Sequence, residues 1–364
     1  ADHSHLIPDS IEVIMKLFIS LLLSLFILTP SAAPAQTPDP AREFNRSGTT
    51  KLRRGDIEGA IADFDKAIAA DPRLAIAYMN RGTARRRLKD LDGAMADFDK
   101  AIELEANFAP AYSNRALAKK DKGDLDGALA DFDKAINLEP RDGSFYIGRA
   151  QVREVKRDLD GAMADYDKAI QIDPRNAFAY LNRGALKRKR GDLDGALADY
   201  DRAVEINPQL ALSSRGAARQ AKGENDLAAA DYDAAIALAP GRAAGALINR
   251  GNLKKSNGDL DGAIEDYTKA IESEPHNVYA YLNRGSAREQ KNDLDGAVAD
   301  FSMAIKFKPD FVFVYSARGI ALLLQGKEAE AQKDFDKCLE LDPNMKASLE
   351  AQIKRAKERL GSKQ

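Results

Sequence analysis

The sequence predicts an all-α solenoid of about nine helix-turn-helix repeats, closed by a C-terminal helix. Three observations carry this expectation: a fixed period, two apolar stripes per period, and charge that segregates to helix ends. The period is marked by Pro72, Pro140, Pro174, Pro208, Pro240, Pro275, Pro309 and Pro343, with Ala106 where one further proline is expected. Steps are 34 residues, except 32 before Pro240 and 35 before Pro275. A fixed period of roughly 20 to 50 residues is the mark of stacked repeats. In such a stack each unit touches only its neighbours, so the 364 residues need no large central core and the absence of Trp carries little information.

Taken from the start, residues 1–14 read as an upstream extension ahead of Met15. Residues 15–35, MKLFISLLLSLFILTPSAAPA, have a charged start, an apolar run from Leu17 to Leu28 and a small-residue end, the layout of a secretory signal peptide with cleavage before Gln36. The run is shorter than the roughly 20 residues that span a bilayer. The alternative is an uncleaved short anchor, and the lack of a cysteine after the run argues against a lipoprotein. An exported protein, periplasmic or secreted and with no stable membrane anchor after cleavage, is therefore expected. Residues 36–40, QTPDP, read as a linker.

Residues 41–343 form the repeats, and 177–208 show their physics. In the first half, Ala177 to Arg190, helix formers end in basic residues and Gly191, a helix stop. Asp192 then stands at an N-cap, with Leu193 to Glu205 as a second helix that Asn207-Pro208 ends. Ala179, Tyr180, Ala185 and Leu186 form one stripe, and Leu193, Ala196, Leu197, Tyr200, Ala203 and Val204 another. One hairpin cannot bury both stripes, so neighbours must stack. Residues 344–364 read as an amphipathic capping helix with Ala347, Leu349, Ile353, Ala356 and Leu360 on its apolar side.

With the proline counted as position 32, Tyr180, Gly184, Ala196, Tyr200, Ala203 and Pro208 occupy positions 4, 8, 20, 24, 27 and 32. This pattern resembles the tetratricopeptide repeat family, exported bacterial type, over about residues 41–343, and Tyr78, Gly82, Ala94, Phe98 and Ala101 repeat it. The resemblance implies a right-handed superhelix of paired helices A and B. The chain departs from the family at position 7, where Arg81, Arg115, Arg149, Arg183, Arg215, Arg250, Arg284 and Arg318 stand, and in the mostly basic residues at position 11. Each such Arg has an Asp at position 23 of its own repeat, from Asp97 to Asp334, so an Arg–Asp pair between helices A and B is expected to fix register. Length changes around Pro240 and Pro275 predict a local change of curvature after Pro208.

In the family the A helices line a concave face at positions 2, 5, 6, 9, 12 and 13. The resemblance therefore places Asn80, Asn114, Asn182, Asn249 and Asn283, all at position 6, where a ladder of amides can pair with the backbone of an extended peptide. The other reading of these asparagines is solvated polar residues copied by duplication. Phe178, Leu181, Arg188 and Lys189 would read side chains nearby, although the two cations also suit the helix end. The function this implies is a non-enzymatic scaffold or adaptor for a peptide or protein segment. The alternative is a structural, self-assembling module that uses its ends. The apolar last repeat, Phe311 to Tyr315 and Ile320 to Leu324, is either covered by the capping helix or a contact for a partner or a second copy.

Other classes are disfavoured. Lys and Arg number 55 against 57 Asp and Glu, and removal of the signal segment brings the balance to zero, so no basic excess points to nucleic acid. The DLDG motif looks like a calcium loop but lacks the first carboxylate and the final Glu that an EF-hand requires. Beyond the signal only His276 remains, with a single cysteine, Cys338, at a position that other repeats fill with Ala. That is too little for a catalytic triad or a zinc cluster, and no phosphate loop occurs. No enzyme activity, metal or cofactor is expected.

Overall fold

A computed structural model describes residues 39–361; the upstream extension and signal segment lie outside the described residues. All regular structure among these residues is helical. The A helices are α1 (Pro40–Arg54), α3 (Ala75–Arg87), α5 (Ala109–Lys122), α7 (Gly143–Val155), α9 (Ala177–Lys189), α11 (Pro208–Ala221), α13 (Ala244–Ser256), α15 (Val278–Gln290) and α17 (Val312–Leu324). The B helices are α2 (Ile57–Ala70), α4 (Leu91–Leu104), α6 (Leu125–Leu138), α8 (Leu159–Ile172), α10 (Leu193–Ile206), α12 (Asn225–Leu238), α14 (Leu260–Ser273), α16 (Leu294–Phe307) and α18 (Glu328–Leu341). A final helix, α19 (Lys346–Gly361), follows a 3-10 turn at Pro343–Met345. The nine hairpins form two compact units, one ending at Leu138 and the other beginning at Glu139.

Within each unit every A helix packs on its own B helix and each B helix on the next A helix. The core is made of small residues and rings shared between neighbouring hairpins: Ala196 and Tyr200 of α10 are buried with Ala218 of α11, Ala203 of α10 with Tyr180 of α9 and Ala211 of α11, and Leu186 of α9 with Tyr166 of α8. Gly184 lets the helices approach, since a Cβ there would sit 2.9 Å from the Tyr200 ring. Cys338 occupies the corresponding Ala position and is buried, and its burial raises the thiol pKa.

Helix ends follow local chemistry. Asp192 accepts from the backbone N–H of Gly195 at 2.8 Å, and the same Asp-to-Gly cap opens α2, α4, α8, α14 and α16. This is what the DLDG motif does. Gly191 ends α9 in the left-handed region at φ 85°, and Lys89, Arg157 and Asn292 adopt that conformation without being glycine.

Three boundaries differ from the sequence reading. Asp39 caps α1 and Pro40 is its first residue, so the linker expected over 36–40 gives way to a helix start; proline suits the first turn because its missing N–H has no partner there. Pro208, expected only to close repeat 5, also opens α11, with Asn207 alone joining the two helices. The added length before repeat 7 is taken up by the 3-10 turn Pro240–Arg242. On α19 the buried residues are Leu349 and Ala356 with Ile353 packed beside them, whereas Ala347, two residues before Leu349 and so about 200° round the helix from it, is exposed.

Candidate functional site

The expected Arg–Asp pairs are present in both units. In repeat 5, Arg183 Nε and Nη2 donate to Asp199 Oδ2 and Oδ1 at 2.9 and 2.6 Å, a bidentate fork on a buried carboxylate. The same fork joins Arg81 to Asp97, Arg115 to Asp131, Arg250 to Asp266 and Arg318 to Asp334. Two further partners were not read from the sequence. Lys187, at position 11, places Nζ 2.9 Å from Asp199 Oδ2, and Arg85, Lys119, Arg153, Arg219, Lys254 and Arg288 do the same in their repeats. The remaining Arg183 nitrogen, Nη1, reaches Asp167 at 2.6 Å on the B helix of the preceding repeat. The basic residues at position 11 and the aspartates at position 25 were the available signals.

The guanidinium also stacks on the ring at position 4, with Arg183 5.6 Å from the Tyr180 centroid. Its hydrogen bond to Asp199 holds it above the ordinary guanidinium pKa, against the opposing effect of burial. One arginine thus ties helix A to its own helix B and to the repeat before it. This network is structural, and it leaves the other face of helix A available.

On that face the asparagines are half-buried, and the amide nitrogens of Asn80, Asn114, Asn182 and Asn249 are used within the protein. Asn114 and Asn182 donate to the carbonyls of Pro110 and Phe178 in their own helices at 2.9 Å. Asn80 donates to Asn45 Oδ1 at 2.9 Å and Asn249 to Ser213 Oγ at 3.4 Å, so these two link neighbouring A helices. Asn283 is likewise half-buried. These geometries orient the amides and direct the oxygen toward the role of acceptor, the group that an incoming backbone N–H requires.

Phe178 is 57% exposed and lies one turn before Asn182; Tyr279, 58% exposed, has the same relation to Asn283, and Ile76, 41% exposed, to Asn80. The reader residues divide. Leu181 packs against Tyr180, Tyr200 and Ala203 and belongs largely to the core. Arg188 faces the Tyr200 hydroxyl in the B helix of its own repeat; burial raises the pKa of that hydroxyl, and Arg188 opposes the rise. Lys189 Nζ pairs with Glu154 Oε2 of the preceding A helix at 2.7 Å. Arg86 makes an equivalent lateral pair with Asp121 at 2.8 Å. Arg86 and Lys189 therefore stitch adjacent repeats, whereas Arg188 acts within its own.

The apolar last repeat expected from the sequence extends, through Phe311 and Phe313, into an aromatic group shared with repeat 8. His276 meets Phe307 edge-on at 4.8 Å between centroids, Tyr279 meets Phe311 at 5.7 Å, and Phe311 meets Phe313 at 6.1 Å. Tyr279 and the 57% exposed Phe313 carry its solvent face. Among the described residues no group of His, Cys, Asp and Glu is arranged to hold a metal, and no helix is long and apolar enough to cross a membrane.

Comparison with known proteins matches tetratricopeptide repeat models to residues 45–110, 113–177 and 248–310, to 177–210 and to 312–345. No curated protein sequence matches the chain. Among solved structures, the APC/C hetero-tetramer Cut9-Hcn1 is similar with a TM-score of 0.56 at 14% identity, over 87% of this chain and 76% of that one. A thermophilic TPR protein of Thermus thermophilus gives a TM-score of 0.43 at 21% identity, over 46% of this chain and 92% of that one. With paired helices, the position-8 and position-24 packing and the repeat-model matches together, the chain belongs to the tetratricopeptide repeat family.

Proposed function

We propose that this protein is an exported, non-enzymatic scaffold whose A-helix faces bind an extended peptide or a segment of a partner protein. The observation that carries the reading is the pairing, one turn apart on a single helix, of an exposed apolar side chain with a half-buried asparagine: Phe178 with Asn182, Tyr279 with Asn283 and Ile76 with Asn80. Large apolar side chains left this exposed at repeated positions favour a partner that covers them. The amides supply backbone pairing with little dependence on sequence. Selectivity then falls to the position-2 side chains, because Leu181, Arg188 and Lys189 are engaged within the protein. Membership of a family of protein-interaction scaffolds supports the general role, and the apolar run with its small-residue end in 15–35 supports export.

The test is selection of binding peptides from a displayed library on the mature protein, followed by titration against Asn182→Ala/Asn283→Ala and Phe178→Ser/Tyr279→Ser variants. A loss of tenfold or more in each variant, about 1.4 kcal/mol, is expected. Equal affinity for wild type and both variants would refute the groove. Concentration-dependent mass in light scattering that Phe313→Ser abolishes would instead favour self-assembly through the last repeat. Export is checked separately by the mass of the mature chain, expected to begin at Gln36.

A further inference from the structure

The path of α19 sets it apart from a tenth A helix. In the regular stack, lateral pairs between A helices join neighbouring repeats 35 residues apart, as in Lys189–Glu154 and Arg86–Asp121. Arg359 of α19 instead pairs at 2.9 Å with Glu289 of α15, 70 residues and two repeats back. Between them α19 runs beside α17, forming a cleft with Glu289, Ala317 and Ile320 on one wall and Gln352, Arg355, Ala356 and Arg359 on the other. Ala317 and Ile320 stand at positions 6 and 9, so the helix lies diagonally over the face that other repeats leave open. Leu349, Ile353 and Ala356 form its inward stripe, at spacings of four and three. Five Lys and Arg against two Glu make it basic, opposite Glu289.

We propose that the A-helix face of repeats 8 and 9 is a docking site for an amphipathic helix bearing an arginine one turn beyond its apolar stripe, and that α19 is its resident, displaceable occupant. The recognition elements are the small wall of Ala317 and Ile320, which accepts a helix carrying Ala at the closest approach, and Glu289, whose side chain is 18% exposed, which takes the arginine. A partner helix of this chemistry reaches the site by exchanging with α19 about the Pro343–Met345 turn, and α19 lowers its apparent affinity by keeping the free site scarcely populated. The inference rests on the A-helix faces being binding surfaces but makes no use of the asparagines.

The probe is a labelled synthetic peptide of residues 346–361, titrated against the full-length chain and against full-length Ala356→Glu/Arg359→Glu, in which the resident helix loses its contacts. The peptide is expected to bind the double variant at least tenfold more tightly than the wild type. Adding Glu289→Arg should abolish this binding, and a peptide carrying Arg359→Glu should restore it. In the wild type, saturating peptide should speed deuterium exchange of the chain's own 346–361 amides. Should the double variant fold poorly, the same charge exchange within one chain decides: Glu289→Arg should reduce protection of α19, and a second change, Arg359→Glu, should restore it. Equal peptide affinity for wild type and double variant, or indifference to Glu289, would overturn the proposal. Asn182→Ala, in repeat 5 and outside this face, should weaken the library-selected peptides and leave peptide 346–361 binding unchanged, so the failure of one reading is distinguishable from failure of the other.

Discussion

Replacing Arg183 with Met removes the charge while keeping the length of the side chain, and its cost can be worked out from the contacts. Asp199, with a side chain only 4% exposed, loses two of its three charged hydrogen bonds and keeps Lys187. Stranding one member of a buried pair costs about 3 to 5 kcal/mol, and the surviving lysine places this case toward the lower end. The bond to Asp167 adds little, because that carboxylate is 56% exposed and such pairs contribute about 0.5 kcal/mol. Loss of stacking on Tyr180 adds about 0.5 kcal/mol. The expected loss is about 3 kcal/mol, read as a lower urea midpoint at unchanged slope. The transition to follow is that of the unit beginning at Glu139, since two compact units need not unfold together. Arg183→Met combined with Asp199→Leu should recover most of the loss, because the buried carboxylate goes with its partner and Lys187, 23% exposed, can turn to water. A loss below about 1 kcal/mol for the single change, or a double variant less stable than either single one, would refute the assignment of Arg183 as the clasp between helices.

Two kinds of glycine exchange should have opposite signs. Gly195→Ala usually favours a helix, yet a Cβ there would lie 2.1 Å from Asp192 Oδ2, so the cap must break and stability should fall by about 1 kcal/mol; Lys89→Gly, at φ 66°, should raise it by about 0.5 to 1 kcal/mol in thermal melts. Alkaline titration should destabilise the protein through the buried rings. Burial raises the pKa of Tyr200 and Tyr267 and pushes that of Tyr232 up to about 12, from an unfolded value near 10. Because the folded state favours the neutral phenols, their contribution is fully present below the unfolded pKa and is lost as pH rises through the folded values. Tyrosinate absorbance should therefore appear together with loss of helical circular dichroism, and ionisation of all tyrosines near pH 10 without unfolding would contradict the burial.

The hairpins, their caps and the Arg–Asp forks were legible because each rests on residues close in sequence and is written many times over; Arg183 and Asp199 are 16 residues apart, and their counterparts recur at that distance. What the period could not show were contacts set by how one repeat lies on the next. The lateral use of Lys189, the core role of Leu181 and the course of α19 belong to that class, and α19 has no second copy from which a pattern could be read. Stacking nevertheless leaves one trace. Arg215 reaches back 14 residues to Asp201 across the shortened junction, and Arg250 reaches back 17 to Asp233 across the lengthened one, where Arg183 spans 16 to Asp167. In all three the partner is position 25 of the preceding B helix. The backbone between them has lost or gained residues while the ion pair has not shifted, so the loops accommodate the stacking that these arginines and their packed neighbours define.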